Sequence, residues 1–375
     1  MLFRSGFLSE VVGVELSSGR RAGVKARPLE TNGSTVLGWR VCDAQLPTVE
    51  MLWEPHYPGR ALEERFGFGD AGSAGAWVAA TVHDHWGIRI DACERIVISD
   101  RNAVAWVTTP AGRLLAKWSV APGRFPRLSQ VAELTRWLNG HGLPVSAPLA
   151  APDGRLQVEL EGVSLSLQRV VLGELLDVGH PDQVRAAGVV LARLHHALAD
   201  YPAADQIVPP EERPEPLAAR IRGWLGSADE QVPETGGTTL RRLVDDAPAD
   251  LLATQLVHGD FRSANILCTG AGIAAVLDFE EARLDHCIDE LARSAVMLGT
   301  RFRDWGPVTS DVRARFREGY ESVRRLTALE ASWWDTLVLW YSLVLLPPDA
   351  LRASPAAVDP RSPHAEASSR GNDAH

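Results

Sequence analysis

The sequence predicts an α+β chain of two lobes, a small antiparallel sheet carrying one helix and then a mostly helical part. Three observations predict it. RIVIS, AVAWVTT and RLLAKW are strand-like runs between Arg95 and Trp118, joined by the turn-like SDRN and PAG. Beyond SLSLQRVVLG, apolar residues recur at helical spacing at Val184, Ala187, Gly188, Leu191, Leu194 and Leu198. Between those helices and later ones, ANILC and IAAVLDF flank the glycine-rich TGAG and read as a β-hairpin.

The elements follow in order. Residues 1–68 form an extra front segment in which GFLSEVVGVELSSGRRAGVKAR reads as strand, turn and strand ending at Lys25. From 69 to 170 come a helix over AGAWVAATVHDHWGI, the three strands, a helix in RLSQVAELTRWLNG with Leu128, Val131, Leu134, Trp137 and Leu138 on one face, and two short strands around Ser146–Ala150 and Leu156–Leu160. Residues 171–351 are helical apart from the hairpin, with a Pro-rich connector IVPPEERPEP, and residues 352–375 lack large apolar side chains and are expected to be disordered. The adjacent His195 and His196 point about 100° apart on a helix, so they are assigned to core and surface and not to a shared ligand site.

Composition excludes several classes. At 375 residues and 45% hydrophobic the chain can bury substantial cores, and its net charge of −10 argues against a nucleic-acid partner. Cys42, Cys93, Cys268 and Cys287 form no CxxC pair or His/Cys cluster, so neither zinc nor a disulfide framework is expected. Glu10 interrupts any signal-peptide core, and the apolar run Thr336–Leu346 is too short to span a membrane and reads as a buried helix. A cytoplasmic protein with no membrane partner is expected.

The chemistry concentrates in LVHGDFRSANIL and the following VLDFEEARLDH. Pairing Cys268 with Ile273 puts Asp278 opposite Ser263 and diagonal to Asn265, with Asp260 just upstream. Three oxygen-bearing side chains therefore converge at one end of the hairpin, a hard-oxygen set of the kind Mg²⁺ takes when phosphate oxygens complete its shell.

His258-Gly259-Asp260, Asn265 and Asp278-Phe279-Glu280 together resemble the catalytic core of the aminoglycoside phosphotransferase and choline kinase-like family, small-molecule kinases with a protein-kinase-like fold. The resemblance covers about residues 71–351. It implies that Asp260 is the catalytic residue that orients or deprotonates the acceptor hydroxyl, that Asn265 and Asp278 hold Mg²⁺ against the phosphates of ATP (or GTP), and that His258 buttresses the loop. Lys117 would grip the phosphates and Glu133, on the next helix, would pair with it. SDRN would cover the phosphates, SLSLQRVV would be the hinge that meets the base, and Asp289 would brace the catalytic loop. Glu280 departs from the glycine of protein kinases, and Lys25 is a less favoured phosphate ligand than Lys117. The function implied is phosphoryl transfer from ATP (or GTP) to a hydroxyl of a small molecule, an aminoglycoside-like or amino-alcohol metabolite; homoserine-, choline- and aminoglycoside-type acceptors all stay open. The alternative is a nucleotide-binding pseudokinase or accessory protein. A protein kinase is disfavoured because no APE-like segment follows Asp278.

Overall fold

The computed structural model describes residues 46–52, 57–207, 214–227, 232–248, 252–301 and 306–346. In chain order the elements are β1 (Thr48–Met51), α1 (Pro58–Phe66), α2 (Ala71–Trp86), β2 (Ala92–Ile98), β3 (Asn102–Thr109), β4 (Gly112–Ser119), α3 (Phe125–Gly140), β5 (Val158–Leu160), β6 (Val163–Arg169) and β7 (Glu174–Leu175). They continue with α4 (Pro181–Ala199), α5 (Ala204–Ile207), α6 (Leu217–Ser227), α7 (Glu234–Asp245), β8 (Gln255–Val257), β9 (Ile266–Thr269), β10 (Gly272–Val276), β11 (Arg283–Asp285), α8 (Cys287–Met297), α9 (Ser310–Glu321) and α10 (Ala328–Leu345). The two-lobed α+β fold expected from the sequence is present. The front hairpin with Lys25 and the tail 352–375 lie outside the described residues.

The first lobe is a six-stranded sheet in the order β1-β2-β3-β4-β6-β5. β2, β3 and β4 read as nearly continuous apolar runs because both faces of this sheet are covered, which removes the polar alternation of a half-exposed strand. On one face Ile96, Ile98, Ala105, Val107, Leu114 and Ala116 pack under Leu62 of α1 and Val78 and Val82 of α2. On the other, the intervening Val97, Val104, Trp106 and Leu115 meet Leu267, Ala275 and Leu277 of the β9–β10 hairpin. This second cluster is what joins the sheet to the helical lobe. Helix α2 starts cleanly because Asp70 caps it: the carboxylate accepts from Ser73 N at 2.7 Å, and Ser73 returns a bond to the Asp70 backbone.

Three elements differ from the sequence reading. β1 and α1 fall inside residues 1–68, yet β1 adds to the sheet edge, parallel to β2, so this part of the front segment belongs to the lobe itself and the sheet is not purely antiparallel. The strand expected over Ser146–Ala150 is reduced to isolated bridges at Val145 and Pro148, since Pro144 and Pro148 have no N–H to give a ladder. SLSLQR is not a hinge but most of β6, paired with β4 along Leu114 to Ser119; its Leu165 and Leu167 enter the core while Ser164, Ser166 and Gln168 face the cleft. The connection between lobes is therefore Val170–Gly173.

In the helical lobe the expected buried helix is α10, with Trp333, Leu337, Leu339 and Leu343 in the core. Among the described residues no helix is long and apolar enough to cross a membrane. α4 and α9 touch backbone to backbone at two glycines: a Cβ on Gly188 would stand 2.1 Å from Phe316 O, and one on Gly319 would stand 2.1 Å from Arg185 O. Neither helix can yield without disturbing the α4 histidine described below. We expect Gly188→Ala to destabilise the protein by at least the ~1–3 kcal/mol typical of an overpacked core, read as a lowered urea midpoint at unchanged slope. A midpoint within error of wild type would mean that the helices part freely.

Candidate active site

β8 delivers the chain into His258-Gly259-Asp260, a 3₁₀ turn spans Ser263–Asn265, and β9 and β10 form the hairpin. Gly259 is required twice over: its φ is +88°, and a Cβ there would lie 2.0 Å from Glu281 O. The hairpin register begins as expected, with Ile273 opposite Cys268, and then shifts by one residue at a bulge before Ala275. Leu277 N consequently donates to Asn265 O at 2.9 Å, and Asp278 is level with Ala264 and not with Ser263. Asp278 itself adopts φ 60°, a left-handed conformation costly for a residue with a Cβ and the kind of strain that functional sites hold.

His258 links the two acidic positions. Its Nε2 donates to Leu277 O at 2.9 Å, one residue before Asp278, and its Nδ1 accepts from Asp260 N at 3.1 Å. Burial depresses its pKa, in keeping with a neutral ring protonated on Nε2. The expected buttressing is thus one imidazole spanning both loops.

Asn265 divides its amide. Nδ2 donates to Asp260 O at 2.7 Å and to Asp260 Oδ2 at 2.9 Å, whereas the buried Oδ1 accepts no hydrogen bond among the described residues. A buried amide oxygen without a donor is costly unless something else supplies positive charge. With the Asp278 carboxylate lining the adjoining cleft, the donor set is two hard oxygens, which suits a small divalent cation completing its shell with phosphate and water.

Asp260 is buried, which would raise its pKa, but Arg262 and Arg293 outweigh burial and hold it below the usual range. Arg262 Nε donates to Oδ2 at 3.0 Å, and Arg293 stands 3.7 Å from Oδ1. A carboxylate held ionised in this way is a weak base and a strong hydrogen-bond acceptor.

The brace under this loop is Glu290, not Asp289. Glu290 Oε2 accepts from His258 N at 3.1 Å and from His195 Nε2 at 2.8 Å, while Oε1 accepts from Gly259 N. Asp289, one residue earlier on α8, is turned about 100° away. It accepts instead from Tyr341 Oη at 2.8 Å and Arg220 at 3.3 Å, and burial beside Asp285 raises its pKa to about 6. His195 is a core residue, as expected, with Nδ1 bonded to Tyr320 Oη at 2.7 Å. Sequence reasoning missed Glu290; the signal available was the adjacency of two acids in DHCIDELARS.

Lys117, on β4, lines the cleft with Asp278 and Glu280, where burial lowers its pKa and the two carboxylates oppose that shift. Glu133 is not beside it. The Glu133 side chain is 47% exposed and pairs with Arg136 at 2.6 Å on the solvent side of α3, whose cleft side carries Leu128, Val131, Ala132 and Thr135. The helical period separates these faces, and 133 falls on the wet one. Arg127, near the start of α3, donates to the carbonyls of Glu280 at 3.1 Å, of Ala282, and of Ile207 at 2.7 Å. Asn102, from the SDRN turn, also lines the cleft.

The sequence model of the APH family, described as a phosphotransferase enzyme family, matches residues 95–330, which include the lysine strand, the His-Gly-Asp loop and the hairpin. The chain belongs to this family. The phosphotransferase delivers phosphate to a hydroxyl group of a small molecule. It is 26% identical over 248 residues to a homoserine kinase of Neisseria meningitidis serogroup B, covering 63% of this chain and 75% of that one. A homoserine kinase of Methylobacillus flagellatus is 27% identical over 216 residues, 56% of this chain and 64% of its own. Among solved structures, a macrolide 2'-phosphotransferase from Brachybacterium faecium superposes with TM-score 0.53 at 18% identity, covering 76% of this chain and 97% of that chain. A spectinomycin phosphotransferase in complex with ADP and spectinomycin superposes with TM-score 0.50 at 15% identity, covering 74% and 88%. These two establish the fold alone.

Glu290 gives the phosphotransferase a testable pH signature. Burial would raise its pKa, but the His195 bond and charge lower it to about 2, so its contribution is fully present above the unfolded value near 4.5 and is lost as pH falls toward 2. Glu290→Gln should cost about 3–5 kcal/mol at pH 7, the usual result of removing one member of a buried pair. That gap from wild type should narrow between about pH 5 and pH 2 in denaturant titrations. A gap independent of pH would remove the charge from the argument.

Proposed function

We propose that the phosphotransferase moves the γ-phosphoryl group of ATP (or GTP), bound with Mg²⁺, to the hydroxyl of a small amino-bearing metabolite, with a homoserine-like hydroxy amino acid the leading acceptor. The observation that carries this reading is the pairing of a donorless buried Asn265 Oδ1 with the strained Asp278 at the end of one hairpin, next to an ionised Asp260. The cation, when bound, neutralises phosphate charge. Lys117 supplies a positive charge from the sheet side, Asn265 and Asp278 fix the position of the phosphates, and Asp260 accepts a hydrogen bond from the acceptor hydroxyl and aligns its lone pair. Because Asp260 is held well ionised by two arginines, its part is orientation more than proton abstraction.

The acceptor class draws support from two directions. A cavity of about 680 Å³ adjoins the cleft at Glu280 and is lined by Arg127, Arg220 and Arg283 together with Glu215, Glu281 and Asp285. Charges of both signs suit a zwitterion better than a polycation. The homoserine kinases similar to this chain act, by name, on a substrate of that kind.

Three variants test this reading. Asp260→Asn should lower kcat by about 10²-fold or more, the scale of a misaligned hydroxyl, with nucleotide affinity nearly unchanged, measured as phosphorylated product by mass spectrometry across a panel of homoserine, amino alcohols and aminoglycosides. Asp278→Ala should abolish Mg²⁺-dependent nucleotide binding in calorimetric titration, with Asn265→Ala weakening it less. Undiminished product from Asp260→Asn, or normal binding by Asp278→Ala, would refute the assigned roles; wild type that binds nucleotide and phosphorylates nothing would favour a non-catalytic binder.

A further inference from the structure

Lys117 projects from the sheet into a cleft where α3 offers it no carboxylate. Glu133 is the sole acid in the α3 sequence, and it is on the solvent side with Arg136. The α3 side chains that do reach the cleft are Leu128, Val131, Ala132 and Thr135, three of them apolar and the fourth a hydroxyl that donates back to the Val131 and Ala132 carbonyls. An ammonium on a four-carbon stem has many rotamers, and without a fixed anion nothing selects one. Two carboxylates line the cleft with Lys117: Asp278, which the proposed cation would occupy, and Glu280. Glu280 lines the same cavity as Lys117, its side chain is 6% exposed, and Arg124 at the entrance to α3 holds it at 3.5 Å. Its backbone is pinned as well, since Arg127 donates to the Glu280 carbonyl from two nitrogens.

We propose that Glu280 is the positioning residue for Lys117, doing from the metal-binding loop what no side chain of α3 does. The proposal rests on the reading that Lys117 holds the nucleotide phosphates. Its consequence is structural coupling of a particular kind. Glu280 is two residues beyond Asp278, so the lysine and the proposed metal ligand take their positions from one short segment and not from separate lobes. Arg124 and Arg127 then make α3 a passive anchor of that segment: the helix steadies the carboxylate through its first turn, while its middle contributes only apolar wall. Glu280 also borders the 680 Å³ cavity, so this residue lies between the phosphate side and the proposed acceptor side.

The test is a double-mutant cycle on the full chain, read as nucleotide Kd by calorimetry and as nucleotide KM and kcat. Glu280→Gln should weaken nucleotide binding or lower kcat about ten- to a hundredfold, the scale of a misplaced charge, while Glu280→Asp retains part of the function. In the Lys117→Met background the same Glu280→Gln change should have little further effect, because its target is gone. Glu133→Gln should match wild type. Ala132→Glu, which returns a carboxylate to the cleft face of α3, should restore a measurable share of nucleotide affinity to Glu280→Gln. A thermal midpoint within a few degrees of wild type qualifies each variant, and the cycle stands without Ala132→Glu if that variant fails to fold. Additive effects of Lys117→Met and Glu280→Gln would overturn the proposal and leave the role of Lys117 intact. Wild-type affinity and rate in Lys117→Met would overturn both.

Discussion

The structure depends on one carboxylate placed beneath a turn. The His258–Gly259 turn aims two successive backbone N–H groups into the protein interior, where water cannot satisfy them, and Glu290 accepts both. Orphaned buried amides would each cost of the order of 1–3 kcal/mol, so the loop cannot hold this conformation without an anion there. The anion must itself be made tolerable in a buried place, which His195 and Tyr320 accomplish from α4 and α9. Burial alone would depress the His195 pKa, yet its surroundings, with the Glu290 carboxylate bonded to Nε2, raise it well above the ordinary value, which favours the ion pair. The glycine contacts that lock α4 against α9 therefore have a chemical purpose, since they keep histidine and tyrosine at hydrogen-bonding distance.

From that base the geometry propagates upward by short links. Gly259 lies so close to Glu281 that the two loops move together, and Arg283 and Arg293 both donate to the Gly259 carbonyl. His258 joins the Asp260 backbone to the Leu277 carbonyl, and Arg127 fastens the segment after Asp278 to α3. Apart from the close approach of Gly259 to Glu281, each link is a hydrogen bond to a backbone carbonyl or amide, which fixes chain position, and Asp278 is the residue of the three acidic and amide positions Asp260, Asn265 and Asp278 that lines the cleft. Arg220 and Asp285, which line the 680 Å³ cavity, are tied from below to the buried Asp289 and Tyr341. Pre-positioned charge is what phosphoryl transfer asks of a protein.

Much of this was legible in the sequence, and the illegible parts share a cause. Strand and helix periods located β2, β3, β4, α3 and α4, and the contact of Asn265 with Asp260 falls within one short loop, because these signals are local. The exceptions all depend on rotation or register set at a distance. Asp289 and Glu290 differ by one helical step, and only the placement of α8 against the loop decides which of them faces it. Glu133 has the right spacing from Lys117 along the chain but falls on the outer side once α3 docks through Leu128 and Val131. The bulge before Ala275 carries no Gly or Pro signal, and it moves Asp278 by one place. SLSLQRVV reads as a hinge only through the resemblance, whereas its alternation of leucine with serine is a strand period, and the structure follows the period.

The division of labour within Asn265 shows why these small displacements matter. Its nitrogen is committed to Asp260, and its buried oxygen is the acceptor left for the proposed cation, so one amide links the Asp260 carboxylate to the proposed metal site. An aspartate at this position would supply the oxygens and lose the donor, leaving two like charges face to face; a histidine would place its donor at a different length. Asp260 is meanwhile held by Arg262 and Arg293, so its carboxylate cannot swing to compensate. Asp260 and Asn265 are thus joined by hydrogen bonds, and the Asn265 carbonyl is bonded to Leu277, one residue from Asp278. Every joint of that chain is a hydrogen bond made by the protein alone, so on the proposed roles the alignment is supplied by the fold.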